Sequence, residues 1–172
     1  MIPLREFVAE SNRIENLDSV SPDDMKAHEE ILALRELSVQ DIERFVSLVQ
    51  PNAILRRPVG LNVKIGSHFP PPGGPKIEPA LKKLLGLVNR DWVEEEGHCD
   101  LAAYKAHLAY ENLHPFSDGN GRSGRAIWLW MHKGYTGRGF LYEWNKARLE
   151  YAGLDFFQMR AMYYHSMSDH HG

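Results

Sequence analysis

The sequence predicts a single, mostly α-helical domain of about six to eight helices carrying one small β-hairpin. Three observations carry that prediction. Apolar residues recur at helical spacing through Met25–Val49 and again through Ile77–Val88. Between them one short stretch, Leu61–Ile65, alternates with period two. Further on, a glycine-rich polar loop, Leu113–Arg125, joins two apolar runs. A chain of 172 residues is long enough for one domain with a substantial core.

Residues 1–20 read as a leader packed on the body at 21–172, with some helical character from Leu4, Phe7, Val8, Ile14 and Leu17. Ser21-Pro22-Asp23-Asp24 is a helix start: Ser at the N-cap, Pro in the first turn, and acids where the helix dipole favours them. Met25, His28, Ile31, Leu32 and Leu34 supply that helix with core contacts. Ser38-Val39-Gln40-Asp41 starts another, whose Ile42, Phe45, Val46 and Val49 form one apolar face before Pro51 ends it. Leu61, Val63 and Ile65 then alternate with Asn62 and Lys64, flanked by Gly60 and Gly66. With Ala53-Ile54-Leu55-Arg56 ahead, this predicts a β-hairpin, and the run Pro70–Pro75 makes a stiff exit. Ile77-Glu78-Pro79 opens a helix with Leu81, Leu84, Leu85 and Val88 inside, ending at Asn89-Arg90-Asp91. Glu94–Gly97 reads as a solvated loop, and from Asp100 a helix with Leu101, Tyr104, Leu108 and Asn112 on one face leads to His114. Beyond the polar loop, Trp128 and Trp130 are core candidates, Gly134–Gly139 is a turn, and Phe156–Met167 is a helix rich in aromatics and Met.

The loop itself, His114-Pro115-Phe116-Ser117-Asp118-Gly119-Asn120-Gly121-Arg122-Ser123-Gly124-Arg125, concentrates the chemistry. Asp118, Gly119, Asn120 and Gly121 favour a tight turn, whose successive amides can converge on an anion. A helix begins at once, so its N-terminal dipole points to the same place. Arg122 and Arg125 are three apart, on one face of that first turn, where both could reach one polyanion. Asp118 is a hard oxygen ligand suited to Mg²⁺, and His114 can take a proton near neutral pH. Phosphate cradle, metal ligand and base together describe transfer at phosphorus.

This stretch resembles the signature of the Fic family, His-x-Phe-x-Asp/Glu-Gly-Asn-Gly-Arg-x-x-Arg, at every fixed position. The resemblance implies the Fic fold, a helical domain, and transfer of AMP from Mg·ATP to a hydroxyl of a target protein. It implies that His114 is the general base and that Asp118 holds Mg²⁺. Gly119, Asn120 and Gly121 would bind the α- and β-phosphates, Arg122 the β-phosphate and Arg125 the γ-phosphate, with Phe116 anchoring the loop. Val63-Lys64-Ile65-Gly66, continuing to Pro71, is similar to the family's flap, a hairpin that lies over the nucleotide and pairs with the target's backbone by strand addition. Ser11-Asn12-Arg13-Ile14-Glu15-Asn16 matches the family's inhibitory pattern Ser/Thr-x-x-x-Glu-Gly/Asn, and no other Ser or Thr has Glu four residues on. By resemblance Glu15 would pair with Arg125, because a carboxylate competes with a phosphate for one guanidinium. For the adenine wall, Tyr163 and Tyr164 resemble the family's aromatic stretch, and Arg148–Tyr151 does so less closely. His107 reads as a hydrogen-bonded core residue. Two other readings stay open: a related transferase that uses another donor or removes AMP, and a nucleotide-regulated, toxin-like binding module with little catalysis.

Composition bounds the partners. A net charge of −3 argues against bulk electrostatic binding to nucleic acid. The single cysteine, Cys99, excludes an internal disulfide framework and fits a reducing compartment. No apolar run reaches the length of a membrane span and no signal peptide opens the chain, so the expectation is a cytoplasmic protein, while the family resemblance implies ATP and Mg²⁺ as its small-molecule partners. Nine His are scattered without a His-Glu-x-x-His pair, which leaves a transition-metal site without support. Oligomeric state, a homo-oligomer included, is open.

Overall fold

The computed structural model describes residues 4–91 and 100–131. They form six α-helices: α1 (Leu4–Ile14), α2 (Pro22–Leu32), α3 (Val39–Val49), α4 (Ile77–Asp91), α5 (Asp100–Leu113) and α6 (Asn120–Met131). The loop Glu94–Gly97, the turn Gly134–Gly139, the aromatic tail with Tyr163 and Tyr164, and Arg148–Tyr151 lie outside the described residues. Among the described residues no helix is long and apolar enough to cross a membrane.

The fold is built around α6. Ten of its twelve residues are buried, and α1, α2, α3 and α5 all pack on it. Its second half, Ala126–Met131, is apolar throughout and has to be enclosed by other helices. Trp130 is fully buried and donates its indole N–H to Leu34 O at 3.0 Å, which satisfies the one polar atom a buried indole carries. Trp128 stacks on Phe7 of α1, ring centroids 6.3 Å apart, so the leader is part of the core.

The helix starts follow their sequence signals. Ser21 accepts from Asp24 N at 3.0 Å while the Asp24 carboxylate accepts from Ser21 N at 2.9 Å, and Ser38 and Asp41 repeat the capping box at α3. In α4, Leu81, Leu84, Leu85 and Val88 are buried as the periodicity predicts. Asn89 at its end exchanges two hydrogen bonds with the main chain of Leu37, at 2.8 and 2.9 Å, tying α4 to the α2–α3 connection. In α5 the buried side chains are Ala103, His107, Tyr110 and Leu113, whereas Asn112 is exposed and Leu108 half-buried. The burial of Leu101 and Tyr104 lies outside the described residues, and α4 and α6 both pack on this helix.

The expected hairpin between Ala53–Arg56 and Leu61–Ile65 takes another form. Leu55 makes an antiparallel bridge to Phe116 of the polar loop instead, while Ile65 pairs only with His68 across a tight turn, N–H to O at 3.0 and 2.8 Å. No strand of several residues forms among the described residues. Residues 57–73 are held by point contacts, one of them at Gly73. Its N–H donates to Asn62 Oδ1 at 2.9 Å, and a Cβ there would overlap the Leu61 carbonyl oxygen and stand 2.8 Å from Pro58 O. Backbone oxygens cannot move aside as a side chain can. Gly73→Ala is therefore expected to destabilise the fold by about 1–3 kcal/mol, read as a lower urea midpoint with an unchanged slope.

His28 is buried between α1 and α3, its ring 4.9 Å from Phe45 and 6.4 Å from Phe7. Its Nδ1 donates to Asp24 O at 2.7 Å, while Nε2 is buried with no partner among the described residues. Burial pulls its pKa down to about 4, against which the Asp24 carbonyl and carboxylate act weakly. The folded chain thus holds this ring neutral where the unfolded chain would protonate it. Stability is full above the ordinary imidazole value and falls as pH drops from about 6.5 toward 4, by roughly 3 kcal/mol in all. Urea titrations across that range should show the fall, and His28→Leu should flatten it.

Candidate functional site

The polar loop leaves the end of α5 in a conformation that ordinary side chains avoid. His114 has φ 49°, in the left-handed region, where it terminates the helix with its N–H on Tyr110 O at 2.9 Å. Its half-buried ring lies against the same helix end: Nδ1 is 3.2 Å from Glu111 O. A carbonyl only accepts, so Nδ1 carries the proton and Nε2 keeps the basic lone pair. Burial lowers the pKa of this imidazole, helped by Arg56 and His68 and opposed by Glu111 O and Asp118.

Below His114 the loop is pinned from inside. Phe116 is buried, and its N–H and C=O both bond the Asn120 side-chain amide at 2.9 Å. Arg56 N donates to Pro115 O at 2.8 Å and Ser117 N to Ile54 O at 2.9 Å, which clamps the loop to the 54–56 segment. Gly119, at φ 77°, turns the chain into α6. Ser123 then returns its hydroxyl to Gly119 O at 2.8 Å and meets Tyr110 OH at 2.6 Å. Asp118 remains exposed at the tip, with Oδ1 accepting from Gly119 N at 2.8 Å.

A cavity of about 270 Å³ opens beside this loop. Its walls include His114, Asp118, Gly119, Asn120, Gly121 and Arg125 from the signature stretch, together with Glu15 from the leader. The first turn of a helix leaves its amides without intrahelical partners, so the start of α6 gives this cavity a donor-rich, positive end. Arg125 is nearly buried there. Its Nε donates to Ser11 Oγ at 2.7 Å, and Nη2 donates to Ser11 O at 2.9 Å and Glu15 Oε1 at 2.8 Å. Burial lowers the Arg125 pKa, and Glu15 opposes that shift. Glu15 follows the last turn of α1, where Asn16 closes the helix at φ 61°. That left-handed position is the physical reason for a Gly or Asn there. Asn12 moors the same turn to α2, donating to Asp24 Oδ2 at 2.9 Å and Ser19 O at 3.0 Å.

Several expected residues are placed elsewhere. Arg122 does not line the cavity: it is buried with Nη1 on Val49 O at 2.9 Å and Nη2 on Gln50 Oε1 at 2.6 Å, capping the end of α3. Two arginines three apart begin on one helix face, but their long side chains diverge. Val63, Lys64, Ile65 and Gly66 do not line the cavity either. Their turn is anchored beside it, with His68 Nε2 3.3 Å from Asn112 O and Lys64 Nζ 5.2 Å over the Phe69 ring.

The structure adds to the site Glu111, which the sequence reading did not single out, and His107, which it read as a hydrogen-bonded core residue. Glu111 and His107 line the cavity, with His107 Nε2 3.7 Å from Glu111 Oε1 and His107 Nδ1 donating to Gly124 O at 3.2 Å. Gly124 makes room for them, since a Cβ there would stand 2.7 Å from Glu111 Oε1. The available signal was their spacing: three and seven residues before His114, they share a helix face with it. Arg56, bonded to His114 O at 2.7 Å, gave no such signal.

The family model described as the Fic/DOC family matches residues 23–132, well over half the chain, from α2 through the end of α6. No curated protein matches the chain.

Proposed function

This chain belongs to the Fic/DOC family, whose members are in general transferases, and from that premise we propose that it transfers AMP from Mg·ATP to a Ser, Thr or Tyr hydroxyl of a target protein. The observation that carries this reading is one cavity lined by an imidazole, a helix N-terminus and a buried arginine. A triphosphate matches the last two, and the hydroxyl of an acceptor needs the first.

In the proposed reaction the acceptor oxygen attacks the α-phosphorus while His114 Nε2 takes its proton. The new O–P bond forms as the bond to pyrophosphate breaks, leaving the target as its AMP ester. The amides at Gly119–Gly121 take the charge that develops on the phosphate oxygens. Arg125 holds the terminal phosphate. The exposed Asp118 carboxylate, a hard oxygen donor at the mouth of the cavity, fits Mg²⁺, which when bound neutralises phosphate charge. Residues 63–71 supply the flap that seats the target's backbone, and Tyr163 and Tyr164, or less closely Arg148–Tyr151, supply the adenine wall.

Glu15 is the inhibitory element of this reading. It occupies the guanidinium that the terminal phosphate needs, and it must withdraw before ATP binds productively. The test is self-labelling with α-labelled ATP and Mg²⁺, comparing the parent chain with Glu15→Gly and Glu15→Gly/His114→Ala. Label in the single variant alone supports adenylylation, inhibition and the base together. If ATP gives no label in any of the three, a screen of other nucleotide and phosphate donors decides between the related transferase and the binding module.

A further inference from the structure

Two adjacent arginines divide between surface and core. Arg57 is exposed and forks onto two carboxylates, Glu43 and Glu78, at 2.9–3.0 Å. Arg56 is fully buried, and among the described residues its guanidinium meets four carbonyl oxygens and no carboxylate. Nε donates to His114 O at 2.7 Å and Nη2 to Leu113 O at 3.0 Å. Nη1 donates to Leu61 O at 3.2 Å and Pro71 O at 2.9 Å. Its main chain repeats the pattern, with N–H on Pro115 O at 2.8 Å and C=O accepting from Gly74 N at 3.0 Å.

A buried cation without an acidic partner is expensive, and charged side chains are almost never fully buried unless paired. Here the compensation is dipolar: two of the four carbonyls belong to the C-terminal end of α5, where a positive charge is favoured. The other two begin and end the segment over residues 61–71. The planar fork thus spans two elements that no backbone ladder joins, and it grips His114 at the residue whose backbone is in the left-handed region.

We propose that Arg56 is a positioning residue: its one guanidinium fixes the strained backbone of His114 and the Leu61–Pro71 segment relative to each other, so that the base and the segment that seats the acceptor move as a unit. This rests on the reading of His114 as the base. Arg56 does not line the cavity, so it acts on the geometry of transfer and not on the nucleotide.

The experiment places Arg56→Met and Arg56→Lys in the Glu15→Gly chain and measures kcat and KM for ATP, alongside NMR titration of the His114 ring in each. Lysine keeps the charge but cannot span four carbonyls. Both variants should lose about 30- to 100-fold in kcat, with KM for ATP within about twofold of the parent. The ring of His114 is faced by Arg56, His68 and Asp118 and by the Glu111 carbonyl, with Glu15, His107, Glu111 and Arg125 also lining the cavity. Loss of the Arg56 cation should therefore raise the His114 pKa in Arg56→Met and leave it in place in Arg56→Lys. A folded variant with kcat within about threefold of the parent overturns the proposal, as does a rise in KM at constant kcat. Two variants that both fail to fold would assign Arg56 to the scaffold alone, which also overturns it. The titration does not depend on turnover. If the Glu15→Gly parent itself transfers nothing, the functional reading has failed, and a His114 ring unmoved in Arg56→Met still sinks the role of Arg56 separately.

Discussion

Glu15→Gly is expected to raise label transfer from Mg·ATP by about ten- to a hundredfold over the parent chain. The estimate follows from the contact removed: a hydrogen bond between charged groups contributes about 1.5–3 kcal/mol, and each 1.4 kcal/mol is tenfold. The Arg125 side chain is only 7% exposed and the Glu15 side chain 39%, so water and salt screen the pair from one side only. The effect should shrink at high ionic strength without vanishing. Glu15→Gln keeps the shape and one hydrogen bond but not the charge, and belongs between the parent and the glycine variant. Ser11 remains on Arg125 in all of them, through both Oγ and its carbonyl, so release should be incomplete until α1 itself moves. Equal label in the parent and Glu15→Gly would end the inhibitory role while leaving the transferase intact.

His114→Ala in the released chain is expected to cost about 10²–10⁴ in rate, the usual contribution of a positioned base. The pH profile adds a sign. Burial holds the His114 pKa below the ordinary imidazole value, so the ring is neutral at pH 7 and Nε2 is ready to accept. Activity should be flat around neutrality and fall only as the medium becomes acid enough to protonate the ring, on the low side of the usual 6.5. An acid limb above that value, or His114→Ala retaining label, would remove His114 from the role of base. His28, lying among α1, α2 and α3, has its pKa lowered to about 4, so stability already declines from about pH 6.5 downward and the activity profile must be read on chain shown to be folded at each pH.

The legibility of the chain followed the range of the interactions. The helix starts at Ser21 and Ser38 and the buried face of α4 depend on residues within one or two turns, and the sequence displays them. The signature loop was legible for the same reason: Phe116, Asn120 and Ser123 hold one another within seven residues. Leu55 could not be read this way, because its partner Phe116 is far along the chain and alternation gives a strand's faces without its neighbour. Arg56 and Arg57 look alike in sequence, and only the folded chain separates the buried fork from the surface ion pair. The register of Arg122, three residues from Arg125, did not disclose that its side chain reaches the end of α3.

Gly121 carries a consequence for how such a chain can change over generations. A Cβ at this position would overlap Glu15 Oε1 and stand 3.0 Å from Arg125 Nη1, so the hydrogen of glycine leaves room for the carboxylate at the guanidinium. In the proposed reaction the incoming phosphate uses that same room. In that reaction, replacing Arg125 would remove the carboxylate's partner and the phosphate's together. On that reading, a heritable loss of restraint that keeps the nucleotide would arise at Glu15 or in the helix before it, and selection on the catalytic loop would preserve the guanidinium that receives the carboxylate.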